Sequence, residues 1–336
     1  MEPLFKIGYC HNSHKKFDMQ ERTNDQKRNA TMTIIREFIL ITAATFFIGS
    51  TAIADTYETT LEPGVVYNMA AFKLWHKPSA DRIRGILMLN PGSNGDGRGM
   101  VDDSYWQDFA SKHDLALMGT YFTDHKHVNM MIEDYIKVGE GSGQALIDAI
   151  DQFAEASGHQ ELSYSPFLLW GHSAGGELNH EIAAWMPERV IAYVVNQGGY
   201  YYSSVPPEAT RKTPGLYFVG LSDLVSRNTI IKGIFTTNRR AGALWTYVEE
   251  KGVGHQVVGS RDLALVFYEE VMKKRLPDDA MGYKALLPVS EDMGIKGSII
   301  THELVAKDDS EVKLEETSWL ISERLADAWQ QLVKKE

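Results

Sequence analysis

Ser173, Asp223 and His255 follow one another along the chain, each just past a short apolar run. A hydroxyl, a carboxylate and an imidazole are the groups with which a protein activates serine for attack on an acyl carbon. Ser173 is the centre of Gly171-His-Ser-Ala-Gly175, a GxSxG pattern. The run Phe167 to Trp170 before it reads as a buried strand, and Gly176 to Met186 after it as a helix. A serine between them occupies a sharp, strained strand-to-helix turn, which lifts its oxygen clear of the sheet and beside the free N–H groups of the helix start. The glycines two positions to either side permit the close backbone approach such a turn requires.

Acyl transfer also needs two N–H groups converging on the oxygen that becomes negative. Ala174, next after the serine, supplies one. The other is expected from the glycine-dense loop Asn90-Pro-Gly-Ser-Asn-Gly-Asp-Gly-Arg-Gly99, which follows the apolar run ending at Leu89. Ser93 is the expected donor, with Gly92 next, and Gly92 and Asn94 are expected to face substrate. No GxxxxGK[ST] spacing is present, which argues against a phosphate cradle. Tyr200 and Tyr201, in Gln197-Gly-Gly-Tyr-Tyr-Tyr202, are candidate substrate contacts: the tyrosines form either a stacking wall or packing beneath a loop.

The elements that must position these groups are read in order. Leu61 to Trp75 supplies one or two opening strands, Ile83 to Leu89 a buried strand, Ser104 to His113 a helix, and Leu115 to Phe122 a further strand. A helix over Ala145 to Ala156 delivers the chain to the elbow strand. Val190 to Val195, Gly215 to Gly220 and Leu244 to Glu249 are strands, and Arg261 to Lys274 is a helix. Thr317 to Val333 has Trp319, Leu320, Leu325, Ala328, Trp329 and Leu332 at helical spacing and reads as a closing helix, with Trp319 in the core.

Other polar residues fit the chemistry less well. His172 is locked inside the elbow, His180 sits on its helix, and His113 and His159 lie in helical or turn context. Asp262 would have to reach from a helix, and Asp148 and Asp151 precede the elbow. His125 and His127 have a spacing a metal could use, but no third ligand lies nearby in the sequence, and a site rim or surface loop is the preferred reading.

With 336 residues, 43% of them hydrophobic and 24% charged, the chain has the balance of a globular protein with a full core. A net charge of -11 argues against nucleic acid or an anionic membrane as partner. Residues 1 to 31 are polar and read as a disordered or non-native extension. From Met32 a basic residue, the apolar run Phe38 to Ile48 and Ala52-Ile53-Ala54 make a signal-peptide pattern over residues 32–54, with cleavage after Ala54 and a secreted or periplasmic destination. The run is short for a membrane span, although an N-terminal anchor is the rival reading. The one cysteine, Cys10, falls in the discarded stretch, so the mature chain is expected to have neither disulfide nor thiolate. Residues 55–276 are assigned to a catalytic domain, and 277–336 to an extension packed on it.

The combination of Gly171-His-Ser-Ala-Gly175, Asp223 after an apolar strand and Gly254-His255 resembles the α/β-hydrolase superfamily, from about Tyr67 to Lys274. Secreted hydrolases of the poly(hydroxyalkanoate) depolymerase and feruloyl esterase kind look most similar. Their usual His-Gly at the oxyanion loop is Pro91-Gly92 here, preceded by Asn90. The resemblance implies a mostly parallel sheet with helices on both faces, and hydrolysis of a small or oligomeric carboxylic ester without metal or organic cofactor. Acyl transfer or peptide hydrolysis on the same fold is the alternative, and a non-catalytic binding protein the third possibility.

Overall fold

In a computed structural model the described residues are 55–335, apart from 79, 129–131, 308 and 310. The expected leader at 32–54, the extension at 1–31 and Cys10 lie outside them.

Continuous apolar runs make the centre of the molecule. Strands β3 (Gly85–Asn90), β5 (Phe167–Gly171), β6 (Val190–Asn196) and β7 (Gly215–Gly220) are buried along their whole length, as strands covered on both faces must be. With β1 (Asp55–Leu61), β2 (Met69–His76), β4 (Leu115–Thr123) and β8 (Trp245–Glu250) they form one sheet of eight strands, in the order β1-β2-β4-β3-β5-β6-β7-β8. β2 runs antiparallel to both its neighbours, and the strands from β4 to β8 are parallel. This is the α/β-hydrolase fold.

Alternate residues of each strand feed two separate cores. Ile86 and Met88 of β3 face the same side as Phe167 and Leu169 of β5, where helices α2 (Ser142–Ser157), α3 (Ala174–Trp185) and α4 (Val225–Arg240) pack. Leu87, Leu89, Leu168 and Trp170 face the other side, against α1 (Ser104–His113), α5 (Ser260–Arg275) and α6 (Glu323–Val333). Each large apolar side chain so buried contributes about 1.5–3 kcal/mol.

The tail differs from the sequence expectation. Thr317 to Val333 is not one helix: Thr317–Leu320 is strand β11, Ser322 caps the helix start through Leu325 N–H, and the helix begins at Glu323. β11 joins β9 (Ile295–Ser298) and β10 (Leu304–Val305) in a small antiparallel sheet, order β10-β9-β11. Trp319 is fully buried, as expected. The tail lies along β8, the last strand of the large sheet. Tyr247 N–H donates to Ser318 Oγ at 2.9 Å, and Tyr247 C=O accepts from Ser318 Oγ at 3.1 Å and from Trp329 Nε1 at 2.8 Å. Arg239, buried on α4, reaches Glu291 through two bonds of 2.6 Å and Thr317 C=O at 2.9 Å.

Two further expectations need adjustment. The opening strand starts at Asp55 rather than Leu61, because its alternating polar residues pair with β2 instead of entering the core. Helix α4 follows Asp223 directly, where the sequence pattern predicts no element before the strand at Leu244.

Candidate functional site

The elbow forms where β5 meets α3. Ser173 has φ 56° and ψ -128°, a conformation in which an L residue is strained. Close packing holds it there. A Cβ on Gly171 would run into the backbone of Gly175, and one on Gly175 into the carbonyl oxygens of Asn90 and Pro91. The two glycines of the motif are thus required by contact, since neither has positive φ.

Buried amides lock the surrounding strand ends. Asn90 Nδ2 donates to Asn179 Oδ1 at 2.6 Å, Thr120 Oγ1 donates to Asn90 Oδ1 at 2.6 Å, and Asn179 Nδ2 donates to Val194 C=O at 2.8 Å. This chain of bonds ties β4, β3, α3 and β6 together immediately beneath Ser173. Asn90, which occupies the position before Pro91-Gly92, thereby fixes the loop to the elbow.

Ser173, Asp223 and His255, widely separated in sequence, meet at the carboxyl ends of β5, β7 and β8. His255 Nε2 lies 3.0 Å from Ser173 Oγ, and His255 Nδ1 lies 2.9 Å from Asp223 Oδ2. The Asp223 side chain is buried, while that of His255 is 34% exposed and open to entering molecules. Burial alone would raise the Asp223 pKa, but hydrogen bonds from Leu224 N–H and His255, with the Arg227 guanidinium nearby, hold it below the usual carboxylate range. Asp223 is therefore ionised at neutral pH. His172 stacks obliquely on His255, with ring centroids 4.6 Å apart. Burial and then the neighbouring His255 push its pKa down to about 4, so that His172 remains an uncharged platform.

The N–H groups of Ala174 and Ser93 donate to no protein acceptor among the described residues. Ala174 opens α3, where a helix leaves its first N–H groups unsatisfied. Gly92 lies against the nucleophile position: a Cβ there would be 3.6 Å from Ser173 Cβ.

Beside Ser173 opens a cavity of about 320 Å³, whose wall includes Ser93, Glu133, Glu177, Tyr200, Arg227 and His255. Ile132, Leu224 and Ile230 form its apolar part. Of the two candidate tyrosines, the structure brings only Tyr200 to this cavity. Tyr201 turns inward, is buried, and packs edge-on against His180 at 5.0 Å. Asn94 is likewise not in the cavity wall. Its backbone N–H donates to Tyr135 Oη at 3.3 Å and its Oδ1 accepts from Asp124 N–H at 2.8 Å, making it a brace for the loop.

Three contributors, Arg227, Glu177 and Glu181, lie outside the sequence expectation. Arg227 Nη1 donates to Asp223 Oδ1 at 2.5 Å. Glu177 accepts from Gly199 N–H at 2.5 Å and Tyr200 N–H at 3.0 Å, and Glu181 accepts from Tyr202 N–H at 2.8 Å and Ser203 N–H at 2.9 Å. His180 Nε2 lies 2.8 Å from Ser203 C=O. One turn of the elbow helix thus clips the tyrosine loop at both ends. The signal was the spacing Glu177, His180, Glu181, which places all three on one helix face.

The remaining candidates have other partners. His113 meets Glu269, His159 meets Glu161, and Asp262 accepts from Tyr105 Oη at 2.6 Å. His125 Nε2 lies 2.8 Å from Gly64 C=O, and His127 Nε2 3.5 Å from Asp124 Oδ2. Among the described residues, no helix is long and apolar enough to cross a membrane.

No family model matches the chain, and none of the curated proteins does. Among solved structures it is similar to an esterase from Pyrobaculum calidifontis, at 13% identity over 78% of this chain and 95% of that one, with a TM-score of 0.44. It is similar to poly(aspartic acid) hydrolase-1 from Sphingomonas sp. KT-1, at 13% identity over 64% and 97%, TM-score 0.45. A ferulic acid esterase gives 12% identity over 64% and 95%, TM-score 0.45. At this distance, the strand order and register carry the fold assignment.

Proposed function

We propose that the protein is a serine hydrolase of carboxylic esters, acting through Ser173, His255 and Asp223. The observation that carries this reading is the single imidazole of His255 bridging Ser173 Oγ at 3.0 Å and Asp223 Oδ2 at 2.9 Å. Ser173 Oγ attacks the ester carbonyl carbon as its proton passes to His255 Nε2. Asp223 orients the imidazole and stabilises its positive charge. The carbonyl oxygen becomes negative and accepts from Ala174 N–H and Ser93 N–H, each such donor contributing about 3 kcal/mol. Collapse expels the alcohol, which takes the proton from His255. Water, deprotonated by His255, then attacks the acyl-enzyme; the acyl bond to Ser173 Oγ breaks, the oxygen recovers the proton from His255 Nε2, and the acid leaves. The exposure of His255 supports hydrolysis over transfer, because water reaches the base directly.

The cavity supports an ester bearing hydroxyl or charged groups over a plain long-chain ester, since Glu133, Glu177 and Arg227 are part of its wall. The sequence resemblance carried by Gly171 to Gly175, Asp223 and Gly254-His255, to the feruloyl esterase and poly(hydroxyalkanoate) depolymerase group, belongs to the same reading. Export is also proposed, on the basic, apolar and small-residue pattern of residues 32–54. The mature N-terminus, sequenced from cell fractions, would then be Asp55.

The test is hydrolysis of p-nitrophenyl acetate, butyrate and octanoate by the wild-type chain and its Ser173→Ala and His255→Ala variants. Turnover should fall by about four orders of magnitude or more in either variant with the circular dichroism spectrum unchanged. Full activity in His255→Ala overturns the assignment. Labelling of Ser173 by a fluorophosphonate separates an enzyme from a binding protein.

A further inference from the structure

At the opposite pole of the sheet lies a second cavity of about 660 Å³, larger than the one beside Ser173. It opens where Pro187 and Glu188 lead into β6 and Thr213 leads into β7, at the amino ends of these strands. β6 has seven residues, so the length of a strand, about 20 Å, separates this cavity from the serine.

Three arginines are buried among the described residues: Arg189, Arg239 and Arg275. Arg239 is paired with Glu291 and two carbonyls, and Arg189 donates to Ser165 C=O at 2.8 Å and Leu162 C=O at 3.0 Å. Arg275 is the exception. Its side chain, on a residue only 7% exposed, makes no hydrogen bond or ion pair among the described residues, and its Nε is enclosed without an acceptor. A buried cation without partner is costly, and proteins rarely leave one so. The carboxyl end of α5, where Arg275 is the last residue, offsets part of that cost but offers no acceptor to the guanidinium.

Arg275 is part of the wall of this cavity, along with Lys212 and Lys284. Glu188 is the one carboxylate among the lining residues. The rest is largely apolar, with Pro187, Leu286 and Val289, and the strap carrying Leu286 is fastened across the helix end by Leu287 N–H donating to Arg275 C=O at 2.9 Å. Burial pulls the Arg275 pKa down to about 10, which leaves the group cationic at neutral pH.

We infer that this cavity is a second binding site, for a small organic carboxylate whose apolar body lies against Leu286 and Val289 and whose anionic head meets the Arg275 guanidinium. Lys212 and Lys284 at the rim draw the anion in. The site does not depend on the esterase reading, because none of its residues belongs to the cavity beside Ser173.

The experiment is calorimetric titration of the full chain with 4-phenylbutyrate and, as a neutral counterpart, 4-phenylbutan-1-ol. The acid should bind to one site and the alcohol roughly ten-fold more weakly or less. Arg275→Gln should abolish binding of the acid. Lys212→Glu and Lys284→Glu, at exposed positions where folding is not in question, should each weaken it several-fold, and Arg227→Gln should leave it unchanged. No binding of 4-phenylbutyrate, equal binding of the alcohol, or loss in Arg227→Gln but not in Lys284→Glu would overturn the site.

Discussion

Arg227 donates to Oδ1 of Asp223 at 2.5 Å, which leaves Oδ2 as the oxygen that meets His255. Because Leu224 N–H also donates to Oδ1, at 2.7 Å, the carboxylate is held against rotation from one side. Arg227 acts here through Asp223, as a positioning residue. Replacing it with Gln is expected to lower kcat about ten-fold while KM for a neutral p-nitrophenyl ester changes little, since misplaced groups cost rate more than binding. Asp223→Asn, which supplies the wrong hydrogen-bond partner to the imidazole, should cost about 10⁴-fold. Steady-state kinetics of both variants checks this, and an unchanged kcat in Arg227→Gln would show that the bridge serves the fold alone.

Glu177 imposes a pH dependence on stability. Burial, reinforced by Glu133 and opposed by the Gly199 and Tyr200 N–H groups, pushes its pKa up from 4.5 to about 7. The folded state therefore holds this proton more tightly than the unfolded chain. The stability that results is fully present below the unfolded pKa and is lost as pH rises towards 7. Glu177→Gln cannot titrate, so between about pH 4.5 and pH 8 the comparison should move in the variant's favour by about 3 kcal/mol. Urea unfolding at the two pH values measures it, and parallel curves for the two proteins refute it.

The elbow glycines differ sharply from Gly99, which lies in the short 3₁₀ helix Arg98–Asp102. Gly171→Ala and Gly175→Ala put a methyl group into backbone atoms and should each destabilise the chain by several kcal/mol, on the order of the largest single-site effects. At Gly99 a Cβ meets nothing within 4 Å, and Gly99→Ala should shift stability by less than about 1 kcal/mol. Thermal unfolding of the three variants decides.

Much of this was legible because central parallel strands and the elbow are written in local sequence. Phe167 to Gly171 is a continuous apolar run, and Gly-x-Ser-x-Gly reads as an elbow because that strand precedes it and a helix follows. Asp223 and His255 were found by the same logic, at the ends of apolar runs. Helix α4 was not, because Val225, Thr229, Ile230 and Ile231 dilute its helical pattern with β-branched residues, and its burial against β7 stabilises it only after folding. Arg227, which sits on it, was lost with it. The tail reads as one helix if its apolar residues are taken together, but at about 100° per residue Leu320 falls on the face opposite Trp329, and the helical phase breaks where the strand ends. The available signal was Ser322, a helix-capping residue in mid-pattern. Tyr201 faces inward because its neighbours are pinned by Glu177 and Glu181, contacts no local pattern shows.

The pairing of Arg239 with Glu291 joins α4 to the tail. Arg239 is fully buried and Glu291 is 36% exposed, so the bond is worth less than a wholly enclosed pair. Glu291→Ala is expected to cost about 2 kcal/mol. It should also expose residues 295–320 to limited proteolysis before the rest of the chain is cut. Simultaneous cleavage throughout would show that the tail is held by other contacts.

The tail's hold on β8 has a consequence for how the molecule keeps to itself. Tyr247 turns its backbone away from β7, towards what would be the open side of the sheet, and an open side of that kind recruits strands from other molecules. Here Ser318 and Trp329 use up its N–H and C=O with side-chain partners, so the row of bonds stops without adding another strand. The last residues of the chain thereby act as an insulating seam against self-association, and a chain shortened before Ser318 would present that seam bare.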